Sequence, residues 1–339
     1  MPEDAINQIS AEIRTRGAEF YPERGELRAL RIVGRTPKTD HYIYDLVAEF
    51  ASGSERLAVK LYRTNKHGQA ITRHLAAAET NHLRSIWSIA KAKNHPGIPQ
   101  PLGDFSELGA VVSEKLTGIP LQSIIMKAAL LPGYAGLGML QGAATASGTW
   151  LRTFQRITAQ PPQPLDGDGL QLEMEKLCHS CKAEGLDDDS ISKILSGTRA
   201  ILDRARKPLT NSAVLSEFTP LNVIVQEHGV GFSDFARMQE SGSTYLDPAT
   251  FLASVEALEK YPFCNRIITT EVQENFLDAY QATEAEREIL RVFKMKVLLS
   301  MFAAGRTVKE SAVRKKVMWA NVMKKFIQAA ADRSLPKAA

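Results

Sequence analysis

The chain has 339 residues, 44% hydrophobic and 24% charged, an ordinary globular composition that excludes disordered, fibrous and repeat architectures. Its formal net charge of +4 hides an asymmetry: from Ile289 onward twelve Lys/Arg stand against two Asp/Glu, so the body is mildly acidic and the tail basic. The first twelve residues lack the apolar core of a secretory leader, and no uninterrupted run of about 20 apolar residues occurs, so no transmembrane segment and a cytoplasmic location are expected.

Residues 2–19 read as a helix, with Ile6, Ile9 and Ile13 on one face. Three short runs rich in β-branched and aromatic residues follow, 27–33, 42–48 and 56–62. The turn-forming stretches Gly34-Arg-Thr-Pro37 and Ser52-Gly-Ser54 separate them, which predicts an antiparallel three-strand meander. The next helix spans roughly 71–91, with Leu75, Ala78, His82, Ile86 and Ile89 on one side. Strands are predicted at 102–105 and 110–114, and a turn at 116–120.

Beyond that turn the pattern is helical, apart from a strand-like island at 212–235. The Pro161, Pro162 and Pro164 stretch and Asp187–Asp189 read as loops. Strands followed by helices, rather than alternating with them, argue for an α+β class. Cys178 and Cys181 form a C-x-x-C with no second ligand pair nearby, so they read as helix cysteines and not as a zinc site.

Four pieces carry chemistry, and their order informs more than any one of them. Leu57-Ala-Val-Lys60 puts a lysine on the third strand, and Glu79 lies in the following helix. Ser216-Glu-Phe-Thr-Pro-Leu-Asn222 leads into an apolar run, and Gly231-Phe-Ser-Asp-Phe235 comes about a dozen residues later. In this combination the chain resembles the aminoglycoside-phosphotransferase and choline-kinase group over about residues 27–260.

The resemblance implies a two-lobed, protein-kinase-like fold with a small antiparallel-sheet N-lobe and a mostly helical C-lobe. The expected divisions are an N-lobe over 1–113, a hinge over 114–121 and a C-lobe over 122–339. It implies a phosphotransferase dependent on ATP and Mg2+ that acts on a hydroxyl of a small molecule or glycan. Phosphoryl transfer is mostly positioning and charge neutralisation, which sets the implied roles. Lys60 would bind the phosphates with Glu79 holding its ammonium, and Thr36, Lys38 and Thr39 would cover them. The backbone at Glu114 and Leu116 would meet the adenine edge. Asn222 and Asp234 would hold Mg2+ through oxygen atoms, and Glu217 would orient the acceptor hydroxyl.

The chain departs from the group's pattern at several positions. Leu215 stands where the group has histidine, Glu217 where it has aspartate, and Gln155 where a helix usually ends in histidine. The covering loop, Gly34–Asp40, has a single glycine. A longer catalytic carboxylate leaves a nucleotide-binding pseudokinase, a binding or scaffold module, as the alternative. Asp247 reads as a helix cap. In the tail, Arg306, Lys309, Arg314, Lys315, Lys316, Lys324 and Lys325 accompany Val308, Val313, Val317, Met318, Val322 and Phe326. This is a helix that either docks by its apolar side or offers cations to an anionic acceptor or surface.

Overall fold

Alternation along the second and third strands sets the core of the first half. Tyr44, Leu46, Ala48 and Phe50 point one way with Leu57, Val59 and Leu61, and all are buried. The structure is a computed structural model that describes residues 2–131, 133, 136–205, 209–261, 263–305 and 313–334.

In chain order the elements begin with α1 (Pro2–Phe20), β1 (Leu27–Pro37), β2 (His41–Phe50), β3 (Gly53–Tyr62), α2 (Thr64–His67), α3 (Gln69–Ala92), β4 (Ala110–Glu114) and β5 (Ile119–Pro120). There follow α4 (Leu121–Leu130), α5 (Leu137–Ile157), β6 (Gln160–Gln163), α6 (Gly167–Ala183), α7 (Asp188–Arg204) and β7 (Leu209–Val214). The chain continues through β8 (Val223–Gln226), β9 (Gly229–Phe232), β10 (Gln239–Ser243), α8 (Leu246–Glu256), α9 (Arg266–Tyr280), α10 (Glu284–Gly305) and α11 (Val313–Ser334). The α+β class expected from the sequence is the class observed: an antiparallel-sheet first region and a mostly helical remainder.

The chain divides into two units, one made of Met1–Ile119 with Ile224–Met238 and the other of Pro120–Val223 with Gln239–Ala339. In the first, the sheet runs β1-β2-β3-β4, antiparallel throughout. Helix α1 lays Ile6, Ile9 and Ile13 on one sheet face, in one cluster with Leu46, Phe50, Leu57 and Val59. The hairpin β8–β9 joins this unit, with Phe232 N donating to Gly97 O at 2.9 Å. Gly118 fits here because a side chain would not: a Cβ there would lie 2.2 Å from the Val225 carbonyl oxygen.

Several local expectations change in this unit. Gly34–Pro37, expected as a turn, continues β1 in register with Tyr42–Asp45, so the hairpin tip is only 38–40. Residues 102–105 form no strand; they are held to β4 by isolated bridges and by Leu102 N to Val112 O. The buried stripe of α3 is Ala76, Glu79, Thr80, Leu83, Ile86 and Ala90, one step round from the apolar side read in the sequence. A buried glutamate belongs to that stripe, and a search for apolar periodicity passes over it.

The second unit packs α4–α11 with a three-stranded sheet of order β10-β7-β6. Its centre is aromatic: Phe218 lies between Trp150, with centroids 5.8 Å apart, and Phe251, 5.9 Å away, and Phe251 stacks on Phe276 at 4.2 Å. Gly148 lets α5 meet α9, since a Cβ there would sit 2.3 Å from Phe276 O. The Pro161–Pro162 stretch is the edge strand β6 and not a loop, an arrangement prolines tolerate because an edge leaves some N–H positions unpaired. Asp187 caps α7 by accepting from Ser190 N at 2.8 Å, and Asp188 and Asp189 fall in the helix's first turn. Cys178 and Cys181 are buried in α6, and burial pushes their thiols up to about 11 and about 12.

Of the basic tail, Arg306 and Lys309 lie outside the described residues, as does Val308, while the backbone places Arg314, Lys315 and Lys316 in α11. Further along α11, Met323, Phe326 and Ile327 are buried, whereas Lys325 and Val322 are exposed. Among the described residues no helix is long and apolar enough to cross a membrane.

Candidate active site

Three charged residues meet inside the first unit. Strand β3 delivers Lys60, the buried stripe of α3 delivers Glu79, and the turn after β9 delivers Asp234. The Lys60 Nζ donates to Glu79 Oε1 at 2.9 Å and to Asp234 Oδ1 at 3.0 Å. Their side chains are 14%, 4% and 27% exposed, so the ion pairs are largely shielded from water. Burial alone would discharge Lys60, but the two carboxylates outweigh it and hold the ammonium above its ordinary range. Burial likewise opposes ionised Asp234, and Lys60 outweighs it, so the carboxyl lies below the usual range. One lysine against two carboxylates leaves a net negative charge, so oxygen donors and charge both suit an added hard cation.

Sequence reasoning missed part of this machinery. Tyr62 OH donates to the other Glu79 oxygen at 2.6 Å, fixing the carboxylate from its far side. The signal was present, because Tyr62 stands two residues beyond Lys60 and so on the same strand face. His82, one turn along α3 from Glu79, lies 3.1 Å by its Nδ1 from Phe235 O. A carbonyl only accepts, so Nδ1 carries the proton. Phe235 N also approaches Glu79 Oε1 at 3.4 Å. Helix α3 thus grips the Asp234–Phe235 turn with two side chains. At the edge of β2, burial and then Lys60 push the His41 imidazole down to about 4.

The other residues expected in this unit lie apart from the cluster. Thr36 is exposed on β1 opposite Ile43, and Lys38 and Thr39 sit at the exposed hairpin tip. Glu114 ends β4; its N–H is committed to Gln100 O at 2.8 Å, and its carbonyl accepts from Ser113 Oγ at 3.0 Å. Leu116 lies over Gly231, where an added Cβ would come within 2.8 Å of its Cδ1.

Glu217 and Asn222 belong to a tight loop of the second unit. The Glu217 carbonyl accepts from Thr219 N at 2.7 Å and from Asn222 Nδ2 at 3.0 Å. Thr219 O accepts in turn from Asn222 N and Val223 N. The start of the loop is held by Asp247, which is no helix cap: it is 1% exposed, and its two oxygens accept from Leu215 N and Ser216 N, each at 2.8 Å. Burial raises the Asp247 carboxyl to about 7, the two N–H donors pulling the other way. Ser216 has φ +62°, a left-handed conformation rare outside glycine, so the clamp holds a strained residue just before Glu217. Leu215, in the group's histidine position, is fully buried, and so is Gln155, which bridges Thr244 O at 2.7 Å and Tyr280 OH at 2.6 Å.

No family model matches the chain, and no curated protein matches it by sequence. Solved structures do match in fold. A glucosamine kinase aligns over 91% of this chain and 96% of its own, with TM-score 0.51 and 15% identity. An aminoglycoside phosphotransferase from Alicyclobacillus acidocaldarius covers 92% and 93%, with TM-score 0.52 and 13% identity. A Plasmodium vivax ethanolamine kinase covers 94% and 87%, at 0.51 and 12%. With the strand lysine, the helix glutamate and the post-hairpin aspartate brought together, the chain has the protein-kinase-like fold shared by these small-molecule kinases and phosphotransferases.

Proposed function

We propose that the chain is an ATP- and Mg2+-dependent phosphotransferase acting on a hydroxyl group of a small molecule or glycan. The observation that carries this reading is the buried cluster of Lys60, Glu79 and Asp234. A lysine locked between two shielded carboxylates is costly to build as a structural feature alone. It is, however, a ready site for phosphate oxygens and a divalent cation. Structural neighbours support the choice of ligand: a glucosamine kinase has been solved with glucosamine, ADP and inorganic phosphate, and an amicoumacin kinase with AMP-PNP and Ca2+.

In this reading Lys60 holds phosphate oxygens, and Glu79, pinned by Tyr62, keeps its ammonium in place. Asp234 offers a carboxylate oxygen to Mg2+. Asn222 offers its amide oxygen, since its Nδ2 is engaged with the Glu217 carbonyl. The bound cation would neutralise phosphate charge. Glu217 accepts a hydrogen bond from the acceptor hydroxyl and aims its oxygen, with the loop behind it fixed by Asp247. The Glu114 carbonyl and the backbone at Leu116 address the base edge, and Thr36, Lys38 and Thr39 lie on the hairpin that covers the phosphates.

The test is Mg2+-dependent stabilisation by ATP, followed by ATP consumption with candidate amino sugars, amino alcohols and glycans. Lys60→Ala and Asp234→Ala should each abolish most of the stabilisation. Absence of Mg2+-dependent nucleotide binding at millimolar ligand would rule the reading out. Glu217 favours one second reading, a nucleotide-binding pseudokinase: its extra methylene moves the carboxylate by about 1.5 Å, and misplacement on that scale can cost about 100-fold in rate. Binding without turnover on any acceptor would select it.

A further inference from the structure

A charged frame lies on the sheet face that carries Lys60. Side chains alternate along a strand, so Ala58 shares the Lys60 face, and its cross-strand partners Asp45 and Ser113 share it too. Gly34, paired with Asp45, completes the row Gly34–Asp45–Ala58–Ser113. Asp45 is the one sizeable side chain in it. Its carboxylate accepts from Arg56 Nε at 3.3 Å, makes a closer ion pair with Arg56 Nη2, and takes another from Lys115 Nζ. Lys115 is the first residue after β4, between Glu114 and Leu116, and its own N–H donates to Arg56 O at 2.8 Å. Asp45 is 18% exposed, and the two cations, at 46% and 34%, remain open on their outer sides.

The position of the frame gives it a meaning. Leu57, paired with Glu114, is three residues along the strand from Lys60, or about 10 Å. A nucleotide with its phosphates at Lys60 and its base edge at Glu114–Leu116 must lay its ring along this stretch. An apolar surface is the usual partner for such a ring. Here Ile43 and Val47 flank the row on the same face, but between them, beside Gly34, Ala58 and Ser113, stands a carboxylate holding a guanidinium and an ammonium in place. Arg56 spends two of its five N–H donors on Asp45, and Lys115 at least one of its three, so both keep donors for ring acceptors as well as charge for the π face.

We infer that Arg56 and Lys115, positioned by Asp45, are the base-gripping residues of this chain, holding a nucleobase by cation–π contact and hydrogen bonds. The inference rests on the nucleotide reading above and deepens it. It makes a distinction that reading does not: the frame acts on the base, whereas Lys60 and Asp234 act on phosphate and metal.

The experiment measures the affinities of the full chain for ADP and for inorganic tripolyphosphate, in Mg2+ at physiological salt. Arg56→Ala and Lys115→Ala are each expected to weaken ADP by about 3- to 30-fold, the range a cation over a ring supports. Tripolyphosphate affinity and the ligand-free melting temperature should stay at the unmodified values, which also shows that the variants fold. An ADP affinity unchanged in both variants, or an equal loss for ADP and tripolyphosphate, would overturn the inference. If the unmodified chain binds tripolyphosphate but not ADP, there is no base site and the inference falls. If it binds neither, the nucleotide reading itself fails.

Discussion

Lys60 depends on what its partners do with their spare oxygens. Glu79 gives one oxygen to the lysine and the other to Tyr62, so Tyr62→Phe leaves a buried carboxylate oxygen without its donor. The expected loss is about 1–3 kcal/mol, read from urea unfolding, with a fall in nucleotide affinity as Glu79 loosens. Glu217 is tested separately. Glu217→Gln should leave Mg·ATP binding nearly unchanged while lowering kcat about 100-fold or more on an accepted substrate, because the variant keeps hydrogen-bonding capacity but not charge. A turnover rate equal to that of the unmodified chain would make the carboxylate a bystander. Glu217→Asp separates reach from charge: activity should fall if the loop is shaped around the longer side chain.

At the scale of elements, what could be read in the sequence depended on whether a signal was local. The meander, α1 and α3 were legible because each repeats its apolar residues at its own period. The orientation of α3 was not, because Glu79 is buried by its charge partners and not by its hydrophobicity. Strand β6 was hidden by prolines that only a sheet edge excuses. Lys60, Glu79 and Asp234 were legible as a motif in order, and the structure brings them together. Asp247 was not, since its partners are two backbone N–H groups about thirty residues upstream that no side-chain pattern announces. The clamp carries its own prediction. Asp247 has a carboxyl raised to about 7 in the fold against 3.8 when exposed, so between those values the folded loop holds a proton that the unfolded chain has lost. Stability from this group is therefore present below pH 4 and falls as pH rises to 7. Asp247→Asn should flatten that slope in chemical denaturation curves, while relaxing Ser216 and slowing turnover. An unchanged slope would place the proton elsewhere.

For the whole molecule the acid limb has the opposite sign. Burial, with Lys60 adding to it at His41, lowers both His41 and His95 to about 4 from an ordinary 6.5. The unfolded chain takes up protons in that interval while the folded chain does not, so stability should fall as pH drops from 6.5 to 4. His95 is 7% exposed, and replacing it by glutamine should reduce that acid slope by up to about 1.4 kcal/mol per pH unit. Denaturation midpoints across pH 4–7 for the single variants would separate the His95 and Asp247 contributions.

The return of Ile224–Met238 to the first unit bears on how the chain is made. Lys60 and its partner Asp234 are 174 residues apart, and the hairpin that carries Asp234 leaves the ribosome long after the sheet does. Until then the nascent sheet holds Lys60 beside Glu79 alone, and the Gly97 carbonyl lacks the Phe232 N–H that it receives in the finished fold. A contact of such high order is slow to form, because a long loop must close before it is rewarded. Residues 1–119 made alone should therefore be protease-sensitive, and extension to 238 should not be enough, since the intervening segment is itself unfinished. Protection of α3 and β3 against hydrogen exchange should appear only in chains long enough to fold both units, which makes chaperone demand during synthesis a direct outcome of one hairpin's place in the sequence.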